Sequence, residues 1–378
     1  MPTAEGCAGR RRRLWEALPA LCDVLLVSDL RHLAYLAGYA PSPFTFRTAS
    51  GGALLVMFPD RSILVGDNLL GPFLNEAHVD EVVAPTWYDG RSSPLARLNT
   101  LVQNVVEVLP KAPARRLGLE GASVPWSIVD RLRSRGGVDV IEVQPTLIEA
   151  RRTKDADETA AIREVLRAAD AGIAAALEFV RPGMSEIDAF RIVEGAASDS
   201  LGERIQLYGD FVSGPEMRQR LGPPTARVLE AGELFLMDFS VIHLGYRGDT
   251  ANTIVVGGKP SETQRRWHDA CLAAHEAVES LLKPGVSCRT LDNVMRKALQ
   301  ESGGDPNVDG HFGHGIGLDH PEAPFILAES RDSLREGDVV TLEPGQYGPP
   351  LGAMRIERNY RIGKGRPEVL SGHELRLA

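Results

Sequence analysis

Cysteine is scarce in this 378-residue chain, with four residues at positions 7, 22, 271 and 288. Their spacing gives no C-x-x-C pair and no framework of neighbours. That excludes a thiolate zinc site and a disulfide scaffold, and it fits reduced thiols in the cytoplasm. Positive charge is also in deficit: 42 Lys and Arg stand against 51 Asp and Glu, for a net charge of −9. A nucleic-acid groove needs a clustered positive surface, so no nucleic-acid partner is expected, nor an anionic membrane. The one local exception, GRRRR at Gly9–Arg13, reads as a solvated N-terminal tail. No apolar run is long enough to span a bilayer. Glu16 and Asp23 interrupt the stretch that would otherwise resemble a signal peptide, so none is expected. The first 150 residues contain no glycine loop suited to cradling a phosphate.

The composition, 43% hydrophobic and 25% charged, is that of a globular protein. The length calls for two domains. The first 150 residues alternate strand and helix patterns. Strands are expected at Asp23–Ser28, at two runs around the Pro59-Asp60 turn, and near 116–121 and 138–143; helices are expected near 94–109 and 125–135. This is a mixed α/β domain. The text turns polar at RRTKDADE, Arg151–Glu158, and a long helix pattern with acidic residues in its first turn follows. The boundary is placed there, giving domains 1–152 and 153–378.

The second domain repeats itself. RPGMSEID from Arg181 echoes KPGVSCRT from Lys283, with Pro182, Gly183, Ser185 and Gly202 matching Pro284, Gly285, Ser287 and Gly304. Both copies read as helix, Pro-Gly turn, serine cap, helix. Duplication implies two related helix–helix–strand halves, and a site between them would draw groups from both.

Two hairpins in this domain carry carboxylates on apolar strands. In ELFLMDFSVIHLGYRGDTANTIVVG a turn near His243–Leu244 would place Asp238 opposite Asp249. In VVTLEPGQYGPPLGAMRIERNYRI a turn near Pro350 would place Glu343 opposite Glu357. Like charges opposed on a sheet are destabilising unless something neutralises them. Between the hairpins in sequence lies HFGHGIGLDHPEAP, which holds three of the nine histidines. Four carboxylates and an imidazole suit two divalent cations, with Mn²⁺ favoured by the oxygen-rich set and Co²⁺, Zn²⁺ or Fe²⁺ as alternatives. Two such ions activate water for hydrolysis.

Together these residues resemble the creatinase/aminopeptidase P/prolidase family of pita-bread metallohydrolases, over nearly the whole chain. SDLRHLAYLAGY (Ser28–Tyr39) is similar to the family's N-terminal segment, and RRTKDADE to its interdomain R-x-x-K-x-x-x-E motif. The resemblance implies an α/β creatinase-like N-terminal domain followed by an α+β pita-bread domain. It also implies metal ligands at Asp238, Asp249, His314, Glu343 and Glu357, proton transfer by Glu343, and a homodimer.

Three departures touch the substrate side, and a fourth lies in the first acid motif. The family's GHGIGLxVHExP histidine falls on Pro321, which has no side-chain donor, while His320 stands one place earlier. His320 is thus either a displaced catalytic histidine or a solvated one. Leu221 stands where SGPNxxxPHGxPS has its histidine, and Asn252 where D-x-T-R-T has its arginine; the first acid motif also reads DFS rather than D-x-G. His311 is a candidate pocket-lining residue. Arg355 is placed either to orient Glu357 or to meet a substrate carboxylate. Three functions follow: an Xaa-Pro dipeptidase or aminopeptidase, a metal-dependent enzyme cleaving a C–N or other bond in a small non-peptide, or a non-catalytic binding module. The complete set of five ligands favours the enzymes.

Overall fold

Six short runs of apolar and β-branched residues in the first part of the chain build one sheet. Its strands are β1 (Val24–Val27), β2 (Leu54–Met57), β3 (Ser62–Val65), β4 (Glu81–Val83), β5 (Arg116–Leu119) and β6 (Asp139–Glu142), in the order β4-β3-β2-β1-β5-β6. The helices are α1 (Ala4–Ala17), α2 (Leu30–Ala37), α3 (Gly71–Leu74), α4 (Arg97–Val108), α5 (Trp126–Arg133) and α6 (Gln144–Ala150). Strands β2 and β3 pair antiparallel around Pro59-Asp60, and β1, β5 and β6 run parallel. Leu101, Val105, Ile128 and Leu132 from α4 and α5 cover one face of the sheet. The structure, a computed structural model, describes residues 2–109, 115–134, 136, 138–217, 221–304 and 310–378. It divides into two compact units, residues 1–151 and 152–378.

The basic run is not a solvated tail. Gly9–Arg13 lie inside α1, where Cys7, Arg10 and Leu14 form the buried stripe. Arg10 is 0% exposed. Its Nε donates to the Tyr35 carbonyl at 2.7 Å, and Arg11 Nη1 donates to the carbonyls of Leu36 and His78 at 2.6 and 2.7 Å. Tyr35 and Leu36 end α2, where unpaired carbonyls carry negative partial charge, so two guanidinium groups cap that helix. The sequence pattern hid this because half of the run serves as a helix face.

The second unit begins with the polar motif. Arg152 is buried and bonds both oxygens of buried Asp338 at 3.2 Å. Lys154 Nζ reaches Glu322 Oε1 at 2.5 Å, and Asp155 and Glu158 form a capping box at the start of the next helix. The motif anchors that helix. Removing one partner of a buried ion pair leaves an uncompensated charge and costs about 3–5 kcal/mol. Arg152→Met is therefore expected to lower the melting temperature of this unit by about 10 °C. Arg163→Met, which breaks the exposed pair with Glu368, is expected to change it by less than about 3 °C. Thermal unfolding of the metal-free protein checks both, and equal shifts would refute the assignment.

The echo in sequence is an echo in structure. Helices α7 (Ala156–Phe179) and α8 (Glu186–Leu201) precede β7 (Gln206–Ser213), β8 (Leu234–His243) and β9 (Tyr246–Val255); helices α9 (Glu262–Glu279) and α10 (Cys288–Glu301) precede β10 (Gly313–Gly315), β11 (Glu322–Ile326) and β12 (Val339–Leu342). The chain then adds β13 (Gly345–Gly348), β14 (Gly352–Arg355), β15 (Arg358–Arg361) and β16 (Glu368–Val369). The Pro-Gly turns superpose in kind, with φ of 91° at Gly183 and 88° at Gly285, values that favour glycine. Ser185 and Ser287 are the N-caps of the second helix in each half. Gly183 N–H bonds Leu229 O and Gly285 N–H bonds Leu334 O in the same way. The copies part at the far end. Gly202 is the left-handed cap of α8, whereas Ser302 ends α10 and Gly303, not Gly304, has positive φ.

Candidate metal centre

The first acid pair sits on β8 and β9, with a register two residues from the expected one. The turn is the tight pair Leu244-Gly245, both at positive φ (52° and 84°), so His243 faces Tyr246. Asp238 then lies opposite Ala251, and Asp249 opposite Ser240. A slip of two residues keeps every side chain on its face, so both acids still point to the same side. A leucine at positive φ is uncommon, which is why the pattern did not reveal this turn.

The second acid pair has the expected register, symmetric about Pro350: Gly348 faces Gly352 and Val339 faces Arg361. The hairpin is broken, however, into β12–β15 and β13–β14, and Glu343 and Glu357 lie in the gap. Pro344 has no N–H to continue the ladder. Glu343 is instead fixed by its own N–H, which donates to Phe312 O at 2.9 Å. The hairpins are tied together by Glu357 N–H to Ala251 O at 3.0 Å, Asn359 Nδ2 to Asp249 O at 2.6 Å, and Thr253 Oγ1 to Arg355 O at 3.0 Å.

His314 enters from β10, the strand between β11 and β12. Its flanking glycines are dictated by close approach. A Cβ at Gly313 would stand 2.1 Å from Thr341 O, and one at Gly315 would stand 2.3 Å from Ala323 O. His314 Nδ1 lies 3.0 Å from Gly315 O. With the proton held on Nδ1, the neutral ring would offer its Nε2 lone pair to a cation lying among the acids. Nε2 is 3.2 Å from Glu343 Oε1 and 3.5 Å from Asp249 Oδ2.

Three sets of potential ligand atoms result, each within 4.8 Å: Asp238, Asp249 and Glu357; Asp249, His314 and His320; His311, His314 and Glu343. His320 reaches the centre, with Nε2 2.8 Å from Asp249 Oδ2. His311 Nε2 is 2.9 Å from Glu343 Oε1, and its side chain is 43% exposed. Arg355 does not hydrogen-bond Glu357. Its Nη1 donates to Asp238 Oδ2 and lies 3.1 Å from Glu343 Oε2, while Nε donates to Tyr347 Oη at 2.7 Å. Leu221 is 48% exposed and follows residues 218–220. Arg220, its neighbour in the sequence, lies outside the described residues.

Asn252 is not on the substrate side. It pairs with Met237 on the opposite face from the acids, is fully buried, and donates to Arg376 O at 3.1 Å. Three supporting residues escaped the sequence reading. Ser240 Oγ donates to Asp249 Oδ1 at 3.2 Å, Thr341 Oγ1 donates to Glu357 Oε1, and Tyr347 holds Arg355. The DFS departure was the signal for Ser240: its hydroxyl steadies the other aspartate.

The charge balance calls for cations. Burial, with Asp249 and Glu343 nearby, lifts the Asp238 carboxyl to about 6 against the pull of Arg355. Burial and three neighbouring carboxylates push Glu357 well above the usual carboxylate range. Burial also disfavours ionised Glu343, but Arg355, His311 and His314 overcome it and hold the group well below that range. Burial opposes charge on His314, and Glu343 and Asp249 outweigh it to give about 9. Glu357 Oε2 is buried and has no hydrogen-bond partner. Such an orphaned oxygen among three other acids fits a metal ligand.

Comparison with known proteins bears on this arrangement. The model of metallopeptidase family M24 matches residues 160–364, and that of the creatinase/prolidase N-terminal domain matches residues 10–153. The chain belongs to metallopeptidase family M24. The Xaa-Pro dipeptidase of Pyrococcus horikoshii is 28% identical over 264 residues, 70% of this chain and 75% of the relative. That of Pyrococcus furiosus is 29% identical over 262 residues, 69% and 75% of the two chains. The prolidase structure from Pyrococcus horikoshii matches with a TM-score of 0.78 at 24% identity, covering 98% of this chain and 99% of that one. This M24 chain therefore has a creatinase-type N-terminal domain followed by the pita-bread fold. Among the described residues, no helix is long and apolar enough to cross a membrane.

Proposed function

We propose that this M24 metallopeptidase is a dinuclear hydrolase acting on Xaa-Pro dipeptides or on N-terminal Xaa-Pro bonds. The observation that carries the reading is the convergence of Asp238, Asp249, Glu357 and His314 with Glu343 around an orphaned carboxylate oxygen. The relatives named Xaa-Pro dipeptidase support the substrate class. Asp238, Asp249, His314, Glu343 and Glu357 would hold two divalent cations. Bound there, the cations supply a water of lowered pKa and a Lewis acid for the scissile carbonyl.

The remaining chemistry belongs to the side chains. Glu343 would carry a proton from water to the leaving prolyl nitrogen; Arg355 and the imidazoles beside it hold its carboxylate well below the usual range, which makes it a weak base but a ready donor of that proton. His311, bonded to Glu343 and open to solvent, is placed to exchange that proton or donate to a substrate oxygen. Arg355 acts by position, since its guanidinium spans Asp238 and Glu343.

The test combines metal analysis with turnover. Metal-free protein is reloaded with Mn²⁺, Co²⁺ or Zn²⁺, bound metal is counted by mass spectrometry, and a panel of Xaa-Pro dipeptides and longer peptides is assayed. Two metals per chain with Xaa-Pro cleavage is the expected result. Two metals without cleavage would transfer the reading to a small non-peptide substrate, which the loss of polar groups at Leu221 and Pro321 would then explain.

A further inference from the structure

Three imidazoles crowd one side of this centre. The ring of His314 stands edge-on to those of His311 and His320, with centroids 5.5 and 4.8 Å apart. The Nε2 atoms of His314 and His320 converge on one oxygen, Asp249 Oδ2, at 3.5 and 2.8 Å. Ligands about 2.0–2.1 Å from one cation are separated by about 2.9 Å at right angles and about 3.4 Å at tetrahedral angles. The two separations, 3.5 and 2.8 Å, lie about 0.1 Å beyond the two ends of that range, a difference that small turns of the side chains would close. The neighbouring set that shares Asp249, made of Asp238, Asp249 and Glu357, offers oxygen alone. The ring of His320 is one-third exposed, so it can turn about its side-chain bonds to meet a cation without repacking a core.

We propose that His320 is a second imidazole ligand, so that the cation it shares with Asp249 and His314 is preferentially zinc, cobalt(II) or iron(II), while the all-carboxylate side suits manganese. The proposal rests on the reading of the cluster as a metal centre. Nitrogen donors favour the borderline ions, and carboxylates favour the harder ones. The centre is thus chemically uneven. His320 does not take over the hydrogen-bonding role of a histidine at position 321; it changes what is bound.

The test counts imidazoles. The metal-free protein receives one equivalent of Co²⁺, and its paramagnetically shifted, solvent-exchangeable imidazole N–H signals are recorded by proton NMR. X-ray absorption of the one-equivalent zinc form gives the histidine count independently, without any substitution. Wild type is expected to show two imidazoles per metal and His320→Gln one, with zinc affinity at this position reduced about 100-fold and manganese uptake by the acid side within about threefold of wild type. A single imidazole in wild type by both methods would overturn the proposal and reduce His320 to a hydrogen-bond donor to Asp249. Xaa-Pro hydrolysis is assayed on the same samples. Cleavage with one imidazole would keep the hydrolase and reject the ligand; two imidazoles without cleavage would do the reverse. Failure to bind cobalt or zinc at all would overturn both.

Discussion

Asp249→Asn is expected to cut metal-dependent turnover by at least about 10³-fold, about 4 kcal/mol in the barrier. Asp249 is the one residue common to the set with Asp238 and Glu357 and the set with His314 and His320. The amide keeps its shape but loses the charge that would bind both cations. Bound metal should fall from two per chain to one or none. The fold should survive: Ser240 donates to Asp249 Oδ1, which the asparagine oxygen can replace, and Asn359 bonds only the backbone carbonyl. The metal-free variant should melt within about 5 °C of wild type, because the substitution relieves repulsion on Asp238 and Glu357 while forfeiting the attraction to His314. This combination separates a ligand from a structural acid. A metal-free variant that melts well below wild type would mean Asp249 is structural. Full metal content with full turnover would remove it from the centre.

The stabilisation conferred by added metal should rise steeply with pH. In the metal-free protein, Asp238 is lifted to about 6 and His314 to about 9, with Glu357 raised as well. A group with a raised folded-state pKa binds more protons folded than unfolded, so its contribution to stability is complete at low pH and is lost as pH rises through the folded value. The metal-free unit should therefore lose stability across pH 6, by way of Asp238, and again towards pH 9, by way of His314. Metal binding requires these same groups deprotonated, so its apparent affinity rises over that interval. The shift in melting temperature on adding Mn²⁺ or Zn²⁺ should be negligible at pH 5. At pH 8, with metal at about 100 times its dissociation constant, the gain is about 2.7 kcal/mol, or about 5–10 °C. Thermal unfolding with and without metal from pH 5 to 9 checks this, and a pH-independent shift would show that these groups do not hold the ion.

The sequence carried the elements of the fold because its signals were local. Continuous apolar runs marked the strands around Pro59-Asp60, and the repeated Pro-Gly-x-Ser turn marked the duplication. The acid face of the first hairpin was also legible despite the wrong turn, because a two-residue slip preserves which side each residue faces. The basic run misled for the opposite reason. Its partners, the carbonyls of Tyr35, Leu36 and His78, are remote in sequence, and only the folded chain brings them to Arg10 and Arg11. Asn252 misled in the same way. A motif position suggested substrate, whereas strand parity turns the side chain to the other face.

By itself, the sequence determined the two-part architecture, the family and the five residues that meet at the centre. Covalent order fixes residue type and periodicity, and those suffice for local structure and for spaced motifs. The tertiary structure alone decided which neighbours those five acquired. It set Ser240 on Asp249, Arg355 across Asp238 and Glu343, and His320 within 2.8 Å of Asp249 Oδ2. The Arg355 and His320 contacts join elements distant in sequence, and the Ser240 contact depends on the register of the first hairpin, so close packing and register decide them.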